Sequence, residues 1–169
     1  MGNVLSAGQG QAPARQATMK SGCPNTIESL TINKMCGSGL KAIMLADQAI
    51  RSGDADVIVA GGMESMTNSP YLIENARSGQ RLGHGKLVDS MIHDGLWDVY
   101  NDKHMGNCAE MLAEERNFTR QLQDEYAIDS YNKSISAIKN KIFSTEIVPV
   151  EVNQRKGNSI FVMDDEEPG

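Results

Sequence analysis

One cysteine stands directly before a glycine-rich turn in the segment NKMCGSGLKA, residues 33–42. The apolar residues that follow keep helical spacing and predict a helix from about Gly37 to Arg51, which Gly53 should end. A thiol at the start of a helix lies beside free N–H groups and the positive end of the helix dipole, and both favour its anion. Because the thiolate is the attacking form of cysteine, Cys36 is a candidate catalytic nucleophile.

The residue types around this cysteine suit attack on a carbonyl carbon. Gly37 and Gly39 would let a substrate approach the backbone closely, and the free N–H groups could hold the oxyanion that forms. A second interpretation is equally open on these residues alone, in which Cys36 is a small buried residue that only fills space at a helix start.

The elements flanking the helix predict a layered α/β core. Residues 30–32 have β propensity before the helix, and the segment ADVIVAGG, residues 55–62, follows it with four consecutive apolar residues before two glycines. Such a run predicts a strand buried on both faces. Strand, helix and strand within a short length of chain are typical of an α/β fold.

Beyond Gly62 the pattern becomes irregular. Residues 63–104 show weak periodicity, and an irregular stretch of that length usually lines a site or a partner interface. A helical pattern resumes near Gly106, a second long helix is predicted after a Thr119 cap, and the segment EIVPVEV, residues 146–152, alternates like a strand.

The overall composition excludes several classes of function. Hydrophobic residues make up 40% of the 169, enough to predict one domain with a substantial core. A net charge of −6 argues against a nucleic-acid binder, and no apolar run is long enough for a membrane span. The cysteines and the histidines show no metal-ligand spacing, and the odd cysteine count suits a reducing cytoplasm; they are Cys23, Cys36, Cys108, His84, His93 and His104.

Longer motifs add a family resemblance. NKMCGSGLKAI, VIVAGGMESMTNSPY, DGLWDVYNDKHMGNCAE and EIVPVEVNQRKG occur here in the order and spacing seen in thiolases, and MGNVLSAGQGQAPARQA resembles the thiolase segment before the nucleophile. The resemblance implies a partial thiolase-like α-β-α core over residues 1–67 and an incomplete inserted loop domain over residues 68–169. It also implies that Cys36 takes up the acyl group of an acyl-CoA.

The resemblance extends to substrate-binding residues. Leu96, His104 and Met105 match positions that contact substrate in thiolases, and the HMG triplet is similar to the acetoacetyl-CoA branch of the family. The implied reaction is the reversible condensation of two acetyl-CoA into acetoacetyl-CoA and CoA. The resemblance implies that no metal or organic cofactor is needed. It also implies assembly as a homodimer or homotetramer. A long-chain 3-ketoacyl-CoA thiolase and a non-catalytic, thiolase-like assembly fragment remain alternatives.

Two thiolase motifs do not occur in this sequence. The family activates its nucleophile with the histidine of a Gly-His-Pro motif and uses a second cysteine, from a Cys-x-Gly-Gly motif, as acid and base. The chain resembles the middle of a thiolase, so we expect weak or absent turnover from it alone. We also expect an exposed apolar sheet edge, which favours aggregation.

Overall fold

The computed structural model describes residues 1–168. The chain divides into two compact units, the first from Met1 to Cys108 and the second from Ala109 onward. Each unit is described by itself.

The first unit begins with two helices, of which the second agrees with the helix predicted from about Gly37 to Arg51. Helix α1 spans Pro13–Lys20 and helix α2 spans Ser38–Ser52. Proline at the first position of α1 already has the φ angle that a helix needs and has no N–H to leave unpaired. Gly53 ends α2 with a φ of 81°, a left-handed conformation that glycine adopts without a steric penalty.

Short elements fill the stretch that sequence described as irregular. Strand β1 (Tyr71–Ile73) pairs antiparallel with β2 (Leu87–Asp89), and β3 (Trp97–Asp98) pairs antiparallel with β4 (Lys103–His104). A 3₁₀ turn covers Ala76–Ser78, a π-helix covers Met91–Leu96, and helix α3 (Met105–Glu115) follows β4 directly.

Three extended segments lie side by side before this region. Gly2 forms parallel bridges with Ile32 on one side and Gly62 on the other. On the second side, the Gly2 amide donates to the Gly61 carbonyl at 2.8 Å, and the Met63 amide donates to the Gly2 carbonyl at 3.0 Å. Parallel neighbours joined through a helix agree with the predicted α/β core, in which the N-terminal segment is central.

The predicted burial of residues 57–60 is wrong. Val57 is 85% exposed and Val59 is 94% exposed, whereas Ile58 on the opposite face is only partly covered. Gly2, in the N-terminal segment, forms backbone hydrogen bonds only beyond residue 60, with Gly61 and Met63. The chain is extended there, but no element among residues 1–168 covers the face that carries Val57 and Val59. An exposed face differs from an unpaired backbone edge, so the exposed sheet edge expected from the sequence stays a prediction.

The core of the described residues is also smaller than composition predicts. The buried apolar side chains are those of Leu5, Pro13, Ala14 and Ala42, and the buried polar residues are Asn3, Ser38 and Ser90. Helix α2 turns Leu40, 66% exposed, and Ile43 towards solvent. Hydrophobic content alone therefore overestimated the core, because burial requires a second surface to pack against.

The second unit contains one long helix and a hairpin. Thr119 caps helix α4 (Arg120–Lys139) by accepting a hydrogen bond from the Leu122 amide at 3.2 Å, as its residue type predicted. Strand β5 (Val150–Val152) pairs antiparallel with β6 (Ile160–Val162). The sequence predicted a strand over residues 146–152, of which only Val150–Val152 is strand, and it gave no indication of β6.

Two further expectations concern the chain as a whole. The domain boundary predicted between residues 67 and 68 stays a prediction, because the two compact units need not coincide with the core and the inserted loop domain of a family. In residues 1–168, no helix combines the length and the apolar character needed to cross a bilayer.

Candidate active site

Cys36 lies on the turn that precedes α2. Its thiol is free and exposed, and its φ of 53° places the backbone in the left-handed region. Gly37 is the N-cap of α2, so Cys36 lies one residue further from the helix than predicted. A left-handed backbone costs a non-glycine residue about 1–2 kcal/mol. Strain of this kind often occurs at functional residues, because it projects one side chain out of a tight turn.

Ser38 closes this turn with two hydrogen bonds. Its hydroxyl donates to the Lys34 carbonyl at 2.8 Å and accepts from the Lys34 amide at 3.1 Å. The Gly37 amide also donates to the Lys34 carbonyl, at 2.9 Å. Ser38 is buried, so water competes little for these bonds. The turn is thereby fixed on both sides of Cys36.

We expect Ser38→Ala to loosen this turn. The substitution removes both hydrogen bonds and leaves the part-buried Lys34 amide without its acceptor, so it should lower the free energy of unfolding by about 1 kcal/mol. Urea denaturation followed by circular dichroism measures the change. Ser52→Ala, on the exposed last turn of α2, is the control and should change stability by less than about 0.5 kcal/mol. Equal effects of the two substitutions would contradict the assigned role of Ser38.

An open cleft of about 460 Å³ lies beside the turn. Three strips of backbone line it, from the N-terminal segment, the start of α2 and the end of the third extended segment: Gly2, Val4, Cys36, Gly37, Ser38, Gly39, Leu40, Gly62, Met63 and Glu64. Among residues 1–168, no acceptor pairs with the amides of Ser38, Gly39 and Leu40. The cleft therefore combines an exposed thiol with unpaired N–H donors, which can stabilise an oxyanion.

Glycines bring the walls of the cleft together. A β-carbon on Gly2 would lie 2.5 Å from the Ser38 carbonyl carbon, and one on Gly62 would lie 3.4 Å from the Gly39 α-carbon. Gly39 lies against the Gly62 backbone, but a β-carbon on Gly39 would meet its nearest atom at 3.6 Å, which is an ordinary contact. Its predicted role in substrate approach stays a prediction. The start of α2 can lie this close to the N-terminal segment only because Gly2 lacks a side chain.

Glu64 is the site residue that sequence reasoning missed. Its carboxylate accepts hydrogen bonds from the Asn3 side chain at 3.0 Å and from the amides of Val4 at 2.9 Å and Leu5 at 2.8 Å. The sequence did contain one signal, because Glu64 is a charged residue that follows, after Met63, an apolar segment ending in two glycines. In α/β folds, groups at the carboxyl ends of strands commonly line the site.

The structure brings the three predicted substrate-binding residues together. Trp97 pairs with His104 in the β3–β4 hairpin, so Leu96 and Met105 flank the same pair. All three predicted residues are half-buried. His104 Nδ1 accepts a hydrogen bond from the Gly106 amide at 3.0 Å, which leaves the ring proton on Nε2 when the ring is neutral. None of the three lines the cleft that contains Cys36, and their contact with substrate stays a prediction.

Asp98 organises the turn between β3 and β4. Its carboxylate accepts hydrogen bonds from the Asn101 side-chain amide at 2.6 Å and from the Tyr100 amide at 3.0 Å. The bond from Asn101, followed by that from Tyr100, holds the pKa of Asp98 below its ordinary value of 3.8. The charged carboxylate therefore stabilises the hairpin that carries His104.

The hairpin should loosen in acid for this reason. Because the folded pKa of Asp98 is lowered, its contribution is complete above about pH 4 and is lost as the pH falls through the folded value. Amide exchange of Tyr100, measured by nuclear magnetic resonance as the pH is lowered, should show this loss of protection. The uncharged Asp98→Asn variant should show no such transition, and a transition that persists in it would assign the effect to another group.

Comparison with known proteins identifies the family. Residues 1–169 match the family model described as thiolase, N-terminal domain. The chain therefore belongs to the thiolase family, as its motifs indicated. It is 55% identical over 168 residues to an acetyl-CoA acetyltransferase of Pseudomonas aeruginosa, covering 99% of this chain and 43% of the relative. It is 53% identical over 166 residues to acetyl-CoA acetyltransferase 2 of Arabidopsis thaliana, covering 98% and 41%.

A solved structure supports the same fold. The crystal structure of Acat5 thiolase from Ascaris suum in complex with coenzyme A matches with a TM-score of 0.88 and 42% identity. The match covers 99% of this chain and 41% of that one. The predicted fold class, a partial α/β thiolase-like core, is confirmed. The chain spans about two fifths of the length of the relatives it matches.

Proposed function

We propose that this chain supplies the acyl-accepting part of an acetyl-CoA acetyltransferase, which condenses two acetyl-CoA into acetoacetyl-CoA and CoA. One observation carries the proposal: the exposed thiol of Cys36, on a strained turn, shares a cleft with the unpaired amides at the start of α2. The names of the relatives support acetyl-CoA as the substrate.

The first half of the proposed reaction uses residues of this chain. The Cys36 thiolate attacks the thioester carbonyl carbon of acetyl-CoA, and the amides of Ser38, Gly39 and Leu40 supply donors for the oxyanion. The carbon–sulfur bond to CoA then breaks, CoA leaves as its thiolate, and the acetyl group remains on the Cys36 sulfur.

In the second half, a second acetyl-CoA loses an α-proton to a base, and the resulting carbanion attacks the acetyl-cysteine carbonyl. Acetoacetyl-CoA forms and Cys36 is released as a thiolate. We assign that base to no residue of this chain. The proposed reaction requires no metal or organic cofactor, because the thioester itself activates both the carbonyl and the α-carbon.

The loop residues set the proposed specificity. We assign Leu96, His104 and Met105 to the contact with the CoA thioester, with Met105 limiting the acyl pocket to a short chain. A long-chain 3-ketoacyl-CoA thiolase is the competing function. Acyl-CoA donors of increasing length distinguish the two, because the short pocket should accept acetyl-CoA and reject long-chain donors.

The proposed setting is acyl-CoA metabolism, including that of fatty acids, in the cytoplasm. Three free cysteines, two of them exposed, support a reducing compartment. We also propose self-association as a homodimer or homotetramer, supported by the exposed Val57 and Val59. The alternative function, a non-catalytic role in assembly, would use the same surface. Measuring the mass by size exclusion together with acetylation distinguishes the two functions, because the non-catalytic role predicts assembly without acetylation.

Site-resolved acetylation tests the proposed function. The chain is mixed with acetyl-CoA over a range of roughly pH 6 to 9, and the three cysteines are mapped by peptide mass spectrometry. We expect acetylation confined to Cys36. Cys23 is also exposed and serves as the internal control for accessibility. Equal labelling of Cys23 and Cys36, or none at either, would overturn the proposal.

A further inference from the structure

We propose that Glu64 is a positioning residue for acyl transfer, which holds the wall of the cleft formed by residues 2–5 in place beside Cys36. The inference rests on the proposed function above and adds a role to a residue that the reaction itself does not consume.

The carboxylate of Glu64 joins two extended segments. One oxygen accepts from the Leu5 amide at 2.8 Å and from Asn3 Nδ2 at 3.0 Å, and the other accepts from the Val4 amide at 2.9 Å. The backbone pairing of these segments extends only as far as Gly2 and Met63. Beyond that point, the Glu64 carboxylate is the acceptor for two successive amides of the N-terminal segment.

Asn3 strengthens this connection from a buried position. It is only 2% exposed, and its Nδ2 donates both to Glu64 and to the Met63 carbonyl at 3.2 Å. Its Oδ1 is buried without a hydrogen-bond partner among residues 1–168. The Asn3 side chain therefore points its Nδ2 donor towards Glu64, although its Oδ1 acceptor stays unpaired. Hydrogen bonds to a charged acceptor are stronger than those between neutral groups, which favours this orientation.

The location of Glu64 links these bonds to catalysis. Gly2, Val4, Met63 and Glu64 line the same cleft as Cys36. Loss of the carboxylate removes the hydrogen bond from the Val4 amide, so this wall of the cleft can move outward. A CoA thioester that approaches Cys36 must pass or contact that wall. The Ser38–Lys34 bonds that fix Cys36 are on the other wall and do not involve Glu64. Glu64 should therefore affect how acetyl-CoA is placed and leave the intrinsic reactivity of the thiol unchanged, since small misplacements of substrate slow reactions strongly.

Glu64→Gln tests this role with a side chain of nearly the same size. Glutamine keeps one acceptor oxygen but cannot accept from all three donors while its NH₂ occupies the other position. We expect acetylation of Cys36 by acetyl-CoA to slow by about tenfold, an effect typical of lost positioning. Alkylation by iodoacetamide, a small reagent that needs no cleft wall, should stay within about twofold of wild type. The Val4 and Leu5 amides should exchange with solvent faster.

Glu28→Gln is the matched control, because Glu28 is exposed in the same unit and lies outside the cleft. It should leave both rates and the amide exchange unchanged. If wild type is acetylated and Glu64→Gln is acetylated equally fast, the positioning role is overturned and the proposed function stands. Equal slowing of acetylation and alkylation would also overturn it, because that pattern indicates general loss of structure. If wild type itself is not acetylated, the proposed function fails and the role of Glu64 fails with it.

Discussion

Cys36→Ser should reduce acetyl transfer from acetyl-CoA by more than about 1,000-fold, because a serine hydroxyl is not ionised near neutral pH. The Glu64 carboxylate in the cleft already accepts three hydrogen bonds and would be a poor base for it. The oxygen would occupy nearly the same position as the sulfur and meet the same unpaired amides. The substitution therefore separates the chemistry of the nucleophile from the geometry of the site. Incorporation of radiolabelled acetyl groups into the purified chain measures the rate.

The control for this result is Cys23→Ser. Cys23 is exposed like Cys36, but it lies outside the cleft, and its Sγ accepts a hydrogen bond from the Ser21 hydroxyl at 3.2 Å. Acetyl incorporation should stay within about twofold of wild type. If Cys36→Ser retained most of the labelling, another group would be the acceptor and the assignment of Cys36 would be wrong.

Gly2→Ala should lower the free energy of unfolding by about 3 kcal/mol, the upper part of the range for overpacking. The added methyl group would lie 2.5 Å from both the carbonyl carbon and the β-carbon of Ser38 and 2.8 Å from the Gly39 amide nitrogen. Two of these atoms are backbone, so neither can rotate away. The start of α2 must separate from the N-terminal segment, and Cys36 must move with it. Urea denaturation gives the loss of stability, and the rate of Cys36 acetylation reports the displacement.

Gly61→Ala is the control on the neighbouring segment. A β-carbon at Gly61 meets nothing within 4 Å, and its φ is not in the left-handed region. The stability should change by less than about 0.5 kcal/mol. Similar losses for the two alanine variants would show that the close contact at Gly2 does not carry the predicted strain.

The local elements could be predicted because their determinants are adjacent in the chain. Apolar spacing and Gly53 fix the extent of α2, and Thr119 fixes the start of α4. Burial could not be predicted in the same way. The residues 57–60 have the composition of a strand covered on both faces, but composition does not say whether another surface is present to cover them.

The same distinction applies to the candidate site. Cys36 stands out in sequence because its turn and its helix are local. Glu64 does not stand out in the sequence, because its carboxylate accepts a hydrogen bond from the amide of Val4, which lies 60 residues away along the chain. The left-handed backbone at Cys36 was equally hidden, because the sequence around it permits a helix start one residue earlier.

The contacts among Gly2, Gly39 and Gly62 determine what can vary in this protein without disturbing its chemistry. The separation between the reactive turn and the neighbouring segments is set by main-chain atoms, which are the same for every residue type. The exposed side chains of α2 that lie outside the cleft, such as Ile43 and Met44, take no part in setting it. The geometry of the acyl acceptor is thus insulated from change on the outer face of the helix. That face is free to diverge, or to be redesigned for solubility, while the thiol keeps its place.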